Sequence, residues 1–176
     1  VRSALRALGT KPLRVVCDLG CGTGASGAAW AKESGARYEG VEKNGWAVEE
    51  ARFTLSALRL RGHAKRGDVD GAPLPGPESG ILAAFTVNEL DDAARERLKD
   101  RLLEAHAGGA TLLVMEPLSR RVAPWWDAWQ RSFETRGGRG DEWRFPAKLP
   151  ATLRLLDKAA GLDHRKLLAR SLWLPA

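Results

Sequence analysis

The chain has 176 residues, enough for one domain with a substantial core and too few for two ordinary ones. Hydrophobic residues make up 44% with no apolar run near the length of a membrane span, so a helical membrane protein is excluded and a soluble globular one expected. The net charge of +6 is a modest pointer to an anionic partner, and it is uneven: from Pro117 to Ala176 there are 12 Lys or Arg against 6 Asp or Glu.

Val1 to Gly9 reads as the end of an amphipathic helix with Leu5 and Leu8 on one face, placed to cover a bound ligand. A chain that starts on Val1 rather than methionine reads as a trimmed piece of something longer, and no signal peptide is visible. Strands are predicted at Leu13 to Asp18, Tyr38 to Glu42, about His63 to Gly67, Ile81 to Phe85 and Thr111 to Met115. Helices are predicted between most of them, at about Gly24 to Ser34, Trp46 to Arg61 and Asp91 to His106. Asp91-Asp92 offers the last of these an N-cap, and Gly108-Gly109 ends it. The stretch Gly71 to Gly80, with Pro73, Pro75 and Pro77, has to be a loop.

After Pro117 the composition changes. A helix starting near Pro124 carries Trp125, Trp126 and Trp129, followed by a glycine-arginine loop and Asp141-Glu142-Trp143-Arg144-Phe145-Pro146. Trp125 and Trp129, spaced i and i+4, form one packing face, and an indole at the border of an active cleft is the functional alternative. Lys148 to Ala160 reads as a helix, and Leu162 to Leu174 as one long strand or a ragged hairpin. The alternation predicts an α/β fold: a doubly wound, mainly parallel sheet with helices on both faces, its last strands antiparallel or incomplete. One domain covers 1–176, with 118–148 as a Trp/Arg-rich insertion or substrate-side segment.

The most specific feature is Val15-Val16-Cys17-Asp18-Leu19-Gly20-Cys21-Gly22-Thr23-Gly24, an apolar run closing on an acid and three alternating glycines. It describes a strand delivering a ligand loop, with the next helix pointing its N-terminal amides at the ligand. The relaxed dinucleotide fingerprint is also satisfied, so context decides. Glu42 ends the second strand 22 residues beyond Gly20, and Asp68 follows the third. Asp18, two residues before the first glycine, suits a cationic ligand and would repel a pyrophosphate.

These residues resemble the class I S-adenosylmethionine-dependent methyltransferases from about Arg14 to about Pro117, and less clearly beyond. The resemblance implies a Rossmann-like fold, S-adenosylmethionine as cofactor and a transferase activity. It implies that Gly20, Gly22 and Gly24 let the backbone approach the cofactor, with Cys21 and Thr23 in the same loop. Asp18 would organise the loop and meet the methionine amino group, Glu42 with Lys43 beside it would hold the ribose, and Asp68-Val69 would take the adenine. The loop after the fourth strand, Phe85-Thr86-Val87-Asn88-Glu89-Leu90, would place the methyl acceptor, with Thr86 on the cofactor side.

That loop lacks the Asn/Asp-Pro-Pro-aromatic pattern of many amino-methylating enzymes, and no cysteine stands where a covalent mechanism would need one. Asn88, Glu89 and Glu116 are the candidate catalytic residues, able to orient an acceptor or take its proton. Asn88 and Glu89 could instead begin a helix, and Glu116 could pair with Arg120 or Arg121. Asn88-Glu89-Leu90, Glu116-Pro117 and Asp141 to Phe145 are also similar to methyltransferase-like proteins of the small, particularly mitochondrial, ribosomal subunit. Those carry C-terminal metal-binding cysteines that this chain lacks after Cys21.

Cys17 and Cys21 suggest no disulfide, and His63, His106 and His164 are too scattered to form a metal site with them. A cytoplasmic setting follows. The expected acceptor is RNA, a ribosomal component or a small molecule, and a non-catalytic cofactor-binding assembly factor is the alternative.

Overall fold

A computed structural model describes residues 1–119, 123–147, 149–162 and 164–176. The order of elements is α1 (Arg2–Leu8), β1 (Val15–Leu19), α2 (Ala25–Ser34), β2 (Arg37–Glu42), α3 (Gly45–Ala57), β3 (Gly62–Arg66), β4 (Ser79–Ala84), a 3-10 turn (Val87–Glu89), α4 (Asp92–Ala107), β5 (Ala110–Glu116), α5 (Trp126–Glu134), β6 (Arg139–Pro146), α6 (Ala151–Ala159) and β7 (Lys166–Leu174). The strands form one seven-stranded sheet in the order β3-β2-β1-β4-β5-β7-β6. The first five are parallel, while β7 runs antiparallel to both β5 and β6.

Every residue of β1 and β5 is buried, as a central strand covered on both faces requires. Alternate residues feed two cores. Cys17, Leu19, Ile81, Leu112 and Val114 face α4 and α5, where they meet Leu98, Leu102, Trp129 and Phe133. Val16, Tyr38, Leu82, Leu113 and Met115 face α1, α2 and α3, meeting Leu5, Trp30, Val48 and Leu55. The expected packing face of α5 is present, with Trp125 and Trp129 centroids 4.8 Å apart in an edge-to-face pair.

Two expectations are corrected and one left open is decided. The sheet is complete: β7 is a single strand, one of the two arrangements expected, and beside it β6, of which only Arg139-Gly140 was expected as loop, is paired along its whole length. Its two glycine-arginine residues hide the alternation that Trp143 and Phe145 continue. The helix expected to reach Arg61 stops at Ala57, because Arg59 takes a left-handed conformation (φ 54°) and the Leu60 amide returns to the Leu55 carbonyl. Helix α1 buries Ala4, Leu5 and Leu8 in the core it shares with α2 and ties Arg2 and Arg6 to Glu33 in the last turn of that helix; none of its residues lines the cleft described below.

The β6–β7 pair outruns β5. Glu116 opposes Arg170, so Lys166–Ala169 and Trp143–Pro146 continue past the carboxyl edge as a two-stranded ribbon. Between them α6 buries none of its residues and exposes Leu153, Leu155 and Leu156. Lys148, the expected start of that helix, lies outside the described residues, as do Arg120 and Arg121, the expected partners of Glu116. No helix among the described residues is long and apolar enough to cross a membrane.

Candidate functional site

The carboxyl ends of β1 to β4 enclose a cleft of about 360 Å³, a size suited to a small ligand. Gly20, Cys21 and Gly22 line it from β1, Glu42 and Lys43 from β2, Asp68 and Val69 from the loop after β3, and Phe85, Thr86 and Glu89 from the loop after β4. Eight of the cofactor residues named from the sequence therefore stand together with Glu89. Asp18, Thr23, Gly24, Asn88 and Glu116 lie outside the lining.

The loop is held by the side chains around it. Thr86 Oγ1 donates to the Leu19 carbonyl at 2.9 Å, tying the β4 loop to the end of β1. This approach needs Gly20, where a Cβ would sit 2.4 Å from the Thr86 methyl at a φ of 62°. At Gly22 a Cβ would meet nothing within 4 Å, so the missing side chain leaves open space. Gly24 serves packing instead, since a Cβ there would press on Ala51 of α3. Gly20→Ala is therefore expected to destabilise the fold by roughly 1–3 kcal/mol. Gly22→Val meets no neighbour but strains a left-handed position (φ 52°), so it is expected to cost roughly 1–3 kcal/mol and to abolish ligand binding in the protein that folds; thermal melts and calorimetric titration of both variants separate strain from lost binding.

Glu42 closes the loop from the other side. Its Oε2 accepts from the Gly22 amide at 3.0 Å and its Oε1 from the Asn44 amide at 2.9 Å. Asn44 in turn caps α3, accepting from the Trp46 amide. Asp68 Oδ1 accepts from the Asp70 amide at 2.9 Å. Three carboxylates and one lysine line the cleft. This donor set fits ribose hydroxyls and a cationic group and opposes a pyrophosphate.

Asp18 sits beneath the loop and not in it. It is buried, and its Oδ2 accepts from the Gly27 amide of α2 at 3.1 Å and from the Tyr38 hydroxyl at 3.0 Å. Burial pushes its carboxyl up to about 7 against the pull of those two bonds, with Glu42 adding to the rise. A raised acid holds its proton more tightly folded than unfolded, so its stabilising contribution is full below about pH 4 and is lost as pH rises through about 7. Urea unfolding between about pH 5 and about pH 8 is expected to show that decline, flattened in Asp18→Asn. Burial also lifts the Cys17 and Cys21 thiols to about 12, so neither is a nucleophile at neutral pH.

Behind the cleft, Glu116 is fully buried and serves the β4 loop. Its Oε1 accepts from the Val87 amide (2.9 Å) and the Asn88 amide (3.3 Å), and its Oε2 from Asn88 Nδ2 (2.6 Å). Burial raises its carboxyl to about 7, opposed by these bonds and by Arg170. Asn88 Oδ1 accepts from Trp125 Nε1 at 3.2 Å, and Arg95 stacks on the Trp125 ring while donating to the Val87 and Leu90 carbonyls. Asn44 and Arg95 were not singled out from the sequence, where only the Asn before Gly45-Trp46 carried a local signal, that of an N-cap; Trp125 was read as a packing residue, and its bond to the β4 loop was not foreseen. Phe85 was also missed: it lines the cleft half-exposed, with a φ of 59° rare outside glycine.

Residues 3–77 match the family model of the methyltransferase small domain. No curated protein matches the chain. Solved structures similar in fold include the methyltransferase domain of bacterial CtHen1-C, 17% identical, covering 99% of this chain and 95% of that one with a TM-score of 0.62. A S-adenosylmethionine-dependent methyltransferase from Geobacter sulfurreducens, solved with S-adenosyl-L-homocysteine, is 16% identical over 99% of this chain and 90% of its own, at a TM-score of 0.61. A putative RNA methyltransferase from Pyrococcus horikoshii is 16% identical over 99% and 81%, at 0.62. With a sheet of this order, a glycine loop at β1 and acids after β2 and β3, the chain has the fold of the class I S-adenosylmethionine-dependent methyltransferases.

Proposed function

We propose that the protein is an S-adenosylmethionine-dependent methyltransferase. The observation that carries the reading is the cleft itself, where Gly22 leaves space beside Glu42 and Asp68 in a lining that opposes phosphate. The residues present fit that cofactor: Glu42, fixed by two amides, keeps lone pairs for ribose hydroxyls, and Asp68 offers an oxygen to the adenine amino group. When bound, the cofactor supplies an electrophilic methyl group on a sulfonium. The protein's part is to hold an acceptor in line with it, and most of the rate gain comes from that positioning. The β4 loop does this, with Glu89 at the cleft wall while the Asn88 side chain and Glu116 fix the loop from behind.

The acceptor we assign is RNA or a ribosomal component. Support comes from the exposed basic residues Arg154, Lys158, Arg165 and Lys166 on or beside the ribbon that overhangs the carboxyl edge, and from a fold shared with a putative RNA methyltransferase. A small-molecule acceptor is the competing substrate class. A second reading, a cofactor-binding assembly factor without turnover, is favoured by one observation: Glu116 and the Asn88 side chain are both spent on internal hydrogen bonds.

Calorimetric titration with S-adenosylmethionine, S-adenosylhomocysteine and NAD tests the cofactor. Binding of the first two and not the third is expected; binding of none, or of NAD, overturns the reading. Salt-sensitive RNA binding then separates RNA from small-molecule acceptors, and turnover separates enzyme from assembly factor.

A further inference from the structure

Three carboxylates line the cleft, and two of them are already engaged. Both oxygens of Glu42 hold backbone amides, and Asp68 holds the Asp70 amide. The Glu89 carboxylate accepts no hydrogen bond from any described residue. Its backbone is nonetheless fixed. The Glu89 amide donates to the Thr86 carbonyl at 3.0 Å, Glu116 caps the turn at Val87 and Asn88, and Arg95 holds the carbonyls of Val87 and Leu90. An exposed carboxylate is thus held at the cleft wall by a rigid turn.

Strand order says which end of a ligand it meets. In the order β3-β2-β1-β4, Asp68 and Glu42 follow the strands on one side of β1, and Glu89 follows β4 on the other. A ligand whose base and ribose engage Asp68 and Glu42 therefore extends its other end across the glycine loop towards Glu89. In S-adenosylmethionine that end carries the sulfonium, and the demethylated product differs from it by the loss of that one positive charge. Lys43, the basic residue of the lining, follows β2 on the base-and-ribose side.

We propose that Glu89 is the specificity-determining residue by which this cleft distinguishes the sulfonium of the cofactor from the neutral thioether of its product. The inference rests on the cofactor assignment made above. Its attraction is present while sulfur is charged and disappears once the methyl group has left, so it favours loading and product release together. Because the group is exposed, the attraction is screened by salt.

The test is calorimetric titration of the wild type and Glu89→Gln with S-adenosylmethionine, S-adenosylhomocysteine and sinefungin, which carries an ammonium in place of the sulfonium. In the variant, affinity for the two cationic ligands is expected to fall by roughly two- to fivefold, the range of a screened ion pair, while that for S-adenosylhomocysteine stays unchanged. In the wild type the preference for the charged ligands is expected to shrink as salt rises. Equal loss for all three ligands, or no loss for any, overturns the proposal. A wild type that binds none of them removes the cofactor assignment as well, and matched thermal melts guard against a folding defect.

Discussion

Replacing Glu116 with alanine is expected to lower the unfolding free energy by about 3–5 kcal/mol, a large part of the roughly 5–15 kcal/mol that holds a domain of this size together. The substitution strips acceptors from two backbone amides and the Asn88 side chain, and removes a charge from beside the buried Arg170. Water cannot readily replace these partners, because Glu116 is fully buried. Glu116→Gln is expected to cost less, since it keeps the volume and one carbonyl oxygen, but it turns an amide nitrogen towards donors. Urea unfolding at neutral pH measures both. If Glu116→Ala unfolds like the wild type while losing turnover, the residue acts on substrate and does not position the loop.

The second large effect is at Glu42. Glu42→Ala is expected to weaken S-adenosylmethionine binding by on the order of 1–3 kcal/mol, between about five- and 150-fold, through loss of charge-assisted hydrogen bonds to the ribose. Part of the loss comes from the protein, because the Gly22 and Asn44 amides lose their acceptors. Asn44→Ala is the control: it removes the α3 cap, at about 1 kcal/mol of stability, and leaves the carboxylate in place. Titration of both variants with the cofactor should therefore show a large affinity change in the first and little in the second. Equal affinities in Glu42→Ala and wild type would remove Glu42 from the site.

The parts of this molecule that were legible in the sequence are those written in short-range signals. An apolar run, an acid and alternating glycines specify β1 and its loop within ten residues, and acids closing two later strands recur at intervals a reader can count. Lys43, Asp68 and Thr86 line the cleft for the same reason, each lying just past the end of a strand. What was hidden depends on partners distant in the chain. Nothing local marks Glu116 as the cap of a turn 28 residues earlier, or Trp125 as the donor to Asn88. The Leu58-Arg59-Leu60-Arg61 stretch has good helix propensity throughout, yet the chain turns there because β3 must begin beside β2. Strand β6 was obscured because its glycine and charged residues match loop composition, and only the antiparallel partner β7 makes it a strand.

The joint between Thr86 and the end of β1 has a mechanical consequence. One hydroxyl spans the segment that would cradle the cofactor and the segment that would present the acceptor, and the Phe85 amide anchors the same segment to the Met115 carbonyl. Neither wall can open alone without breaking that bond and the close contact at Gly20. Amide hydrogen exchange along both segments should then report one shared opening event, slowed as a unit when either wall is occupied.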